Sequence, residues 1–207
     1  DFVRPNVAHI HGVGLTTAFV REFPLDPFQQ AAVESLDRGR NVLVAAPTGS
    51  GKTVVAEHAV ALALASGRKC FYTAPIKALS NQKFSDLRRE LGDEQVGLLT
   101  GDHSINAGAP VVVMTTEVLR NMVYAGSAAL DGLGWVVLDE VHFLQDAYRG
   151  PVWEEVLVHT PRGIGFVCLS ATVSNAEELG DWIEALRGPT DTEIEHRRPI
   201  RLDPVML

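Results

Sequence analysis

Cysteine and lysine are both scarce in this sequence, and long apolar runs are missing. Only two cysteines occur, Cys70 and Cys168, each inside an apolar stretch. That excludes a disulfide framework and predicts reduced, buried thiols in a cytosolic protein rather than a zinc site. The longest uninterrupted apolar run, Ala59 to Ala65, is seven residues, well short of the roughly 18 that a membrane span needs. No transmembrane segment is expected. Lys and Arg total 18 against 26 Asp and Glu, a formal net charge of −8, and only four of the basic residues are lysines. Such a chain does not hold nucleic acid through a bulk positive field, so any nucleic-acid reading has to come from motifs. The sequence opens on Asp1 rather than Met and shows no basic stretch followed by an apolar segment. No signal peptide is expected, and the chain reads as a piece of something longer.

What remains is ordinary globular material: 207 residues, 46% hydrophobic and 21% charged, enough for one domain with its own core. Residues 1–20 carry Pro5, Gly12 and Gly14 without a clear period and read as an irregular lead-in. His9 and His11 there have no acidic or cysteine neighbour in sequence and are not read as a metal site. Beyond them, apolar runs of strand length occur at Val42 to Ala46, Cys70 to Ala74, Val96 to Leu99, Val111 to Met114, Trp135 to Leu138 and Phe166 to Leu169. They are continuous rather than alternating, which predicts strands buried on both faces of a parallel sheet. Helical stretches lie between them: Pro27 to Leu36, Thr53 to Ala65, Ser80 to Glu90, Glu117 to Tyr124, Val152 to Val158 and Ala176 to Leu186. The alternation predicts an α/β domain with right-handed crossovers and helices on both faces of a mainly parallel sheet. Pro199 to Leu207 returns to extended character, a final strand or a linker.

The segment Ala46-Pro-Thr-Gly-Ser-Gly-Lys-Thr53 lies between an expected strand and an expected helix, the context a phosphate-binding loop requires. Gly49 and Gly51 let the backbone wrap so that the N–H groups of residues Pro47, Thr48, Gly49, Ser50 and Gly51, as far as each has one, can face phosphate oxygens at the positive end of the following helix. Lys52 is placed to reach the β- and γ-phosphates of ATP, and the Thr53 hydroxyl to bind Mg²⁺. Ala46 stands where such loops usually have their first glycine; a small residue still fits that turn. The loop predicts a carboxylate at the end of another buried strand, and Trp135-Val-Val-Leu-Asp139-Glu140-Val-His142 supplies two. Asp139 is read as the metal-side carboxylate, and Glu140 as the group that takes a proton from water.

Asp139-Glu-Val-His142 together with Ala46 to Thr53 resembles the first motor lobe of a superfamily 2 helicase of the DExH type. Six further segments agree in order. Phe23-Pro-Leu-Asp-Pro-Phe-Gln29 resembles the adenine-reading segment. Thr73 to Lys83, Thr100-Gly-Asp102 and Thr115 to Arg120 are similar to the strand-tracking motifs. Ser170-Ala-Thr172 resembles the coupling motif, and Arg149 to Glu155 a segment of the Ski2-like branch, within which the chain is most similar to an actinobacterial type. Relatives in that branch often carry a His and a Ser-Ala pair in the loop where this chain has Pro47 and Gly49-Ser50.

The resemblance implies a RecA-like P-loop lobe over residues 21–198, with residues 199–207 leading toward a second RecA-like lobe and accessory domains. It implies Phe23 stacking on adenine and Gln29 pairing a donor and an acceptor with the base edge, although from the residues alone Phe23 and Phe28 read as core. Pro75, Lys77, Thr100, Gly101, Thr115 and Thr116 become contacts to one nucleic-acid strand, RNA in preference to DNA, read through its backbone. His142 becomes the bridge between the two sites, where the bland reading is a half-buried histidine bonded to a carbonyl. Ser170 and Thr172 pass hydrogen bonds toward the other lobe. For Lys83 a solvated helix face stays equally open. Rival readings are a DNA helicase or translocase, a nucleotide-gated binding module without useful turnover, and a small-molecule kinase that would leave Thr100-Gly-Asp102 without a role.

Overall fold

The computed structural model describes residue 19 and residues 24–197. His9, His11, Phe23 and the segment 199–207 lie outside the described residues, as does the lead-in apart from Phe19. The strands are β1 (Asn41–Ala45), β2 (Lys69–Ala74), β3 (Val96–Leu99), β4 (Ser104–Ile105), β5 (Val111–Thr115), β6 (Leu133–Leu138), β7 (Gly165–Ser170) and β8 (Thr190–Ile194). They form one sheet in the order β4-β3-β5-β2-β6-β7-β1-β8. Every pairing is parallel except the short antiparallel contact of β3 with β4. The helices are α1 (Pro27–Asp37), α2 (Thr53–Ala65), α3 (Lys77–Leu91), α4 (Thr116–Tyr124), α5 (Gly150–His159) and α6 (Ala176–Arg187).

Each of the six expected strands is present, and the pleat explains why they read as continuous apolar runs. Val42, Val44, Tyr72, Val111, Val113 and Val137 face one side with α1, α2 and α3. Leu43, Phe71, Val112, Met114, Val136 and Leu138 face the other with α4, α5 and α6. Successive residues thus enter opposite cores, and both sides select apolar residues along the middle of the strands. The start of α1 is fixed by Asp26, which closes a capping box with Gln29, and by Pro27 in the first turn.

Two departures are informative. Helix α3 begins at Lys77, three residues before the expected Ser80, because Pro75 and the extended Ile76 set its entry. Strand β8 went unrecognised because Thr190-Asp-Thr-Glu-Ile is half polar. It is an edge strand paired only to β1, and its Asp191 forms ion pairs with Arg40 at 2.8 Å and Arg38 at 3.3 Å.

Gly165 pairs with Trp135 across β7 and β6, and a Cβ at Gly165 would stand 2.5 Å from the indole ring. The ring is 6% exposed and packed among core side chains, so it has little room to move. Gly165→Ala is expected to lower stability by about 1–3 kcal/mol, the usual range for overpacking, read as a drop in the chemical-denaturation midpoint with an unchanged m-value.

Candidate nucleotide-binding site

Parallel strands joined by crossovers place the loops that follow them along one edge of the sheet. The loop after β1 meets the end of β7 there, with Ala46 N–H donating to Ser170 O at 3.2 Å. Gly49 (φ 82°) and Gly51 (φ 81°) are both left-handed, as the sequence requires. Gly51 has a second reason to be glycine. A Cβ there would lie 2.6 Å from Gln29 Nε2, which donates to Ser50 O at 3.3 Å and Gly51 O at 3.1 Å. Among the described residues the N–H groups of Gly49, Gly51, Lys52 and Thr53 donate to no protein acceptor, and the buried Ser50 hydroxyl has no partner. This cradle of outward donors at the start of α2 fits phosphate oxygens.

Lys52 Nζ donates to the carbonyls of Ala46 (2.7 Å) and Pro47 (3.0 Å), so the ammonium lies across the mouth of the loop. Burial lowers its pKa, with Glu140 and Asp139 pulling the other way. Both acids therefore sit within electrostatic reach of the loop. Asp139 continues β6 by donating its N–H to Thr73 O at 3.0 Å. Its Oδ2 accepts from the Tyr72 hydroxyl at 2.8 Å and its Oδ1 from Glu140 N–H at 3.0 Å. Glu140 takes a left-handed conformation (φ 56°, ψ 42°), and its Oε2 lies 3.2 Å from His142 Nδ1. Its pKa is raised by burial and by Asp139, against the lowering influence of His142, Lys52 and Lys83. Such a carboxylate is a better proton acceptor than a solvated one.

His142 Nδ1 lies 3.2 Å from Glu140 Oε2 and 3.3 Å from the Ala171 N–H. One ring nitrogen either carries a proton for the carboxylate or offers its lone pair to the amide. The imidazole thus connects the acidic pair with the Ser170-Ala-Thr172 segment through a main-chain amide. Thr172 is exposed, and the buried Ser170 hydroxyl has no hydrogen-bond partner among the described residues.

Gln29 also differs from expectation. It is 4% exposed, its Oε1 accepts from Asp26 N–H at 3.0 Å, and both amide hydrogens go to the loop carbonyls. One lone pair of Oε1 remains for a base, so the expected donor–acceptor pairing is reduced to an acceptor alone. Along the rim toward β3, Pro75 and Thr116 are buried rather than exposed to a strand; the Thr116 hydroxyl turns inward toward Ala74 O at 3.5 Å. Thr100 and Thr115 are each 7% exposed, while Gly101 and Lys77 reach the surface. Lys77 Nζ pairs with Asp102 Oδ1 at 2.8 Å, and the same oxygen accepts from Thr100 Oγ1 at 3.0 Å. These contacts, Lys77 foremost, hold the Asp102 carboxyl down to about 2. Sequence reasoning missed Tyr72 as a member of the site and named Ala171 and Asp102 only inside the Ser170-Ala-Thr172 and Thr100-Gly-Asp102 motifs, without a role of their own. Tyr72 left one signal, a polar-tipped ring inside an otherwise apolar strand.

No group of three or more His, Cys, Asp or Glu among the described residues is placed to hold a metal ion alone. That suits Mg²⁺, which keeps most of its ligands as water and substrate phosphate; Thr53 Oγ1 and Asp139 are the protein oxygens available to it. The loop geometry gives a stability test. Gly49→Ala introduces left-handed strain alone, since nothing lies within 4 Å of a Cβ there, whereas Gly51→Ala adds the contact with Gln29. Both are expected to destabilise, by about 1–3 kcal/mol for the strained backbone, with Gly51→Ala the larger loss in thermal unfolding.

Residues 26–179 match the DEAD/DEAH box helicase family. The chain is 63% identical over 180 residues to "Probable helicase HelY" of Mycobacterium tuberculosis, covering 87% of this chain and 20% of that protein. It is 52% identical over 170 residues to human Superkiller complex protein 2, covering 82% of this chain and 14% of that one. Among solved structures, Mycobacterium smegmatis helicase Lhr bound to single-stranded DNA and AMP-PNP aligns with a TM-score of 0.68 at 27% identity, over 84% of this chain and 26% of that chain. The chain spans 20% or less of the curated relatives' length. The Ala46, Pro47 and Gly49-Ser50 departures therefore occur inside a sequence that is otherwise close to Ski2-type relatives. The expected RecA-like α/β lobe is the architecture observed, and the chain belongs to the DEAD/DEAH box helicase family.

Proposed function

We propose that this chain, over residues 21–198, is the ATP-binding lobe of a nucleic-acid motor that couples ATP hydrolysis to movement along a single strand, RNA in preference to DNA. The observation that carries this reading is the convergence of Lys52, Asp139 and Glu140, delivered by two different strand ends, beside a loop of outward-facing N–H groups. Thr48, Gly49, Ser50, Gly51 and Lys52 hold the phosphates, and Pro47 fixes the loop's entry. Thr53 Oγ1 and Asp139 would hold Mg²⁺, which would supply neutralisation of phosphate charge. Tyr72 keeps one oxygen of Asp139 in place, and the left-handed turn aims Glu140, whose raised pKa suits it to accept a proton from the attacking water. His142 passes the state of Glu140 to the Ala171 amide and so to the segment facing the second lobe. Phe23 stacks on the base in this reading.

Phosphoryl transfer of this kind usually uses an arginine finger worth about 10³-fold or more in rate. A second RecA-like lobe supplies it in this proposal, with accessory domains completing the motor. RNA is favoured because relatives 49% identical over 189 residues (DExH-box ATP-dependent RNA helicase DExH15 of Arabidopsis thaliana) and 44% identical over 201 residues (ATP-dependent RNA helicase mtr4 of Schizosaccharomyces pombe) carry RNA in their names. Lhr bound to single-stranded DNA keeps a DNA motor as the second reading. Burial pushes both thiols up to about 12, which keeps them inert. No described helix is long and apolar enough to cross a membrane.

Steady-state ATPase of the intact protein with matched single-stranded RNA and DNA, at one stated salt concentration, tests the reading. RNA is expected to stimulate more than DNA; equal or greater stimulation by DNA moves the protein to the second reading. Glu140→Gln is expected to lower turnover by about 10²–10⁴-fold with nucleotide binding retained, and an unchanged rate would remove Glu140 from the chemistry. The rim gives a further prediction. A strand phosphate must compete with Asp102 for Lys77, so Asp102→Asn is expected to tighten single-stranded RNA binding about threefold at low salt. Weaker binding in an anisotropy titration would mean that Asp102 orients Lys77 instead.

A further inference from the structure

Lys83 has no role in the reading above, yet it touches the metal side of the site. Its Nζ donates to Thr53 Oγ1 at 3.2 Å, the hydroxyl that the proposed function gives to Mg²⁺. The same ammonium lies 5.7 Å from the centroid of the Tyr72 ring, whose hydroxyl is bonded to Asp139 Oδ2 at 2.8 Å. One side chain therefore contacts one metal-ligating oxygen directly and is a single ring away from the other. The Tyr72 ring is 1% exposed and cannot swing aside, so it forms a fixed wall along which the lysine stem runs.

A hydroxyl oxygen has two lone pairs, and an ammonium bonded to one of them stands close to any ion on the other. Two cations at that separation repel strongly in a half-buried site. Lys83 and a divalent ion thus compete for Thr53 rather than sharing it. The structure also provides a destination for the displaced ammonium. Between α2 and α3 lies a cavity of about 210 Å³ that Lys83 itself lines, together with Glu57, Asp86 and Glu90 beside Thr53 and Tyr72. Arg89 also lines it and already pairs with Asp86 at 3.2 Å. Three carboxylates against Arg89 and Lys83 make this cavity a favourable place for a lysine head group that has left Thr53, and the flexible stem allows the move.

We propose that Lys83 is a positioning residue of the nucleotide site, whose ammonium holds the Thr53 hydroxyl and yields it to Mg²⁺ by withdrawing into the acidic cavity. Lys83 thereby sets the Mg²⁺ concentration at which nucleotide is bound. The inference rests on the proposed nucleotide site, and its test separates the two.

The intact protein is titrated with Mg²⁺ at fixed fluorescent ADP, and the same ADP affinity is measured in EDTA. Lys83→Met keeps the stem and removes the charge; it is expected to lower the half-saturating Mg²⁺ by about threefold to tenfold, the effect of one partly screened charge. Lys83→Arg keeps a cation and is expected to retain the wild-type midpoint. A merely structural role would weaken ADP binding equally with and without Mg²⁺, and that result overturns the proposal. So does an unchanged or higher midpoint in Lys83→Met. Lys83→Gln serves as a second neutral variant should Lys83→Met fail to fold. If wild-type protein binds ADP and Lys52→Ala abolishes binding at every Mg²⁺ concentration, the nucleotide site stands whatever Lys83 does. If the wild type binds no ADP at any Mg²⁺ concentration, that site reading falls and this inference falls with it.

Discussion

Strands buried on both faces can carry function only at their ends. In this lobe β1, β2, β3, β5, β6 and β7 run parallel between two apolar layers, and each side chain along them packs against a helix. Polar groups are admitted where the pleat runs out, and because the strands run the same way they run out on the same edge. The phosphate loop, the acidic pair, the Ser170 segment and the Thr100 and Thr115 turns are consequently neighbours, although they are far apart in sequence. The core determines the position of the chemistry and contributes to it the hydroxyl of Tyr72.

Two acids at such an edge are costly unless the surroundings compensate. Here the compensation is divided. Asp139 is satisfied by neutral donors, the Tyr72 hydroxyl and the Glu140 amide. Glu140 has Lys52, Lys83 and the His142 imidazole nearby to offset the repulsion of Asp139. The asymmetry separates two otherwise similar carboxylates into a group fixed in place and a group whose protonation is adjustable. It accompanies the left-handed backbone at residue 140, where the second carboxylate lies 3.2 Å from His142 Nδ1.

The sheet was legible in the sequence because double-sided burial leaves a local mark, a continuous apolar run. So were the loop and the acidic pair, whose glycines and charges answer to the backbone geometry of their own segment. The parts that were not legible depend on contacts between segments. Edge strand β8 pairs on one side only, so half of it is polar and its apolar signal is weak. Gln29 was expected to face a base, but its amide is used on the Ser50 and Gly51 carbonyls 21 and 22 residues away. Thr116 was expected at the surface, and its hydroxyl turns to Ala74, 42 residues upstream. A hydroxyl or amide carries no sequence mark of which partner it will find, and tertiary placement decides it. Tyr72 illustrates the converse, a residue that reads as core and is core, with only its terminal oxygen belonging to the site.

The left-handed backbone at Glu140 has an evolutionary consequence. A non-glycine residue held there costs about 1–3 kcal/mol, a sizeable part of the 5–15 kcal/mol by which domains are stable. Glycine at that position would relieve the strain and remove the carboxylate with it. A change favoured for robustness alone would therefore give a more stable lobe without the carboxylate that the proposed chemistry uses.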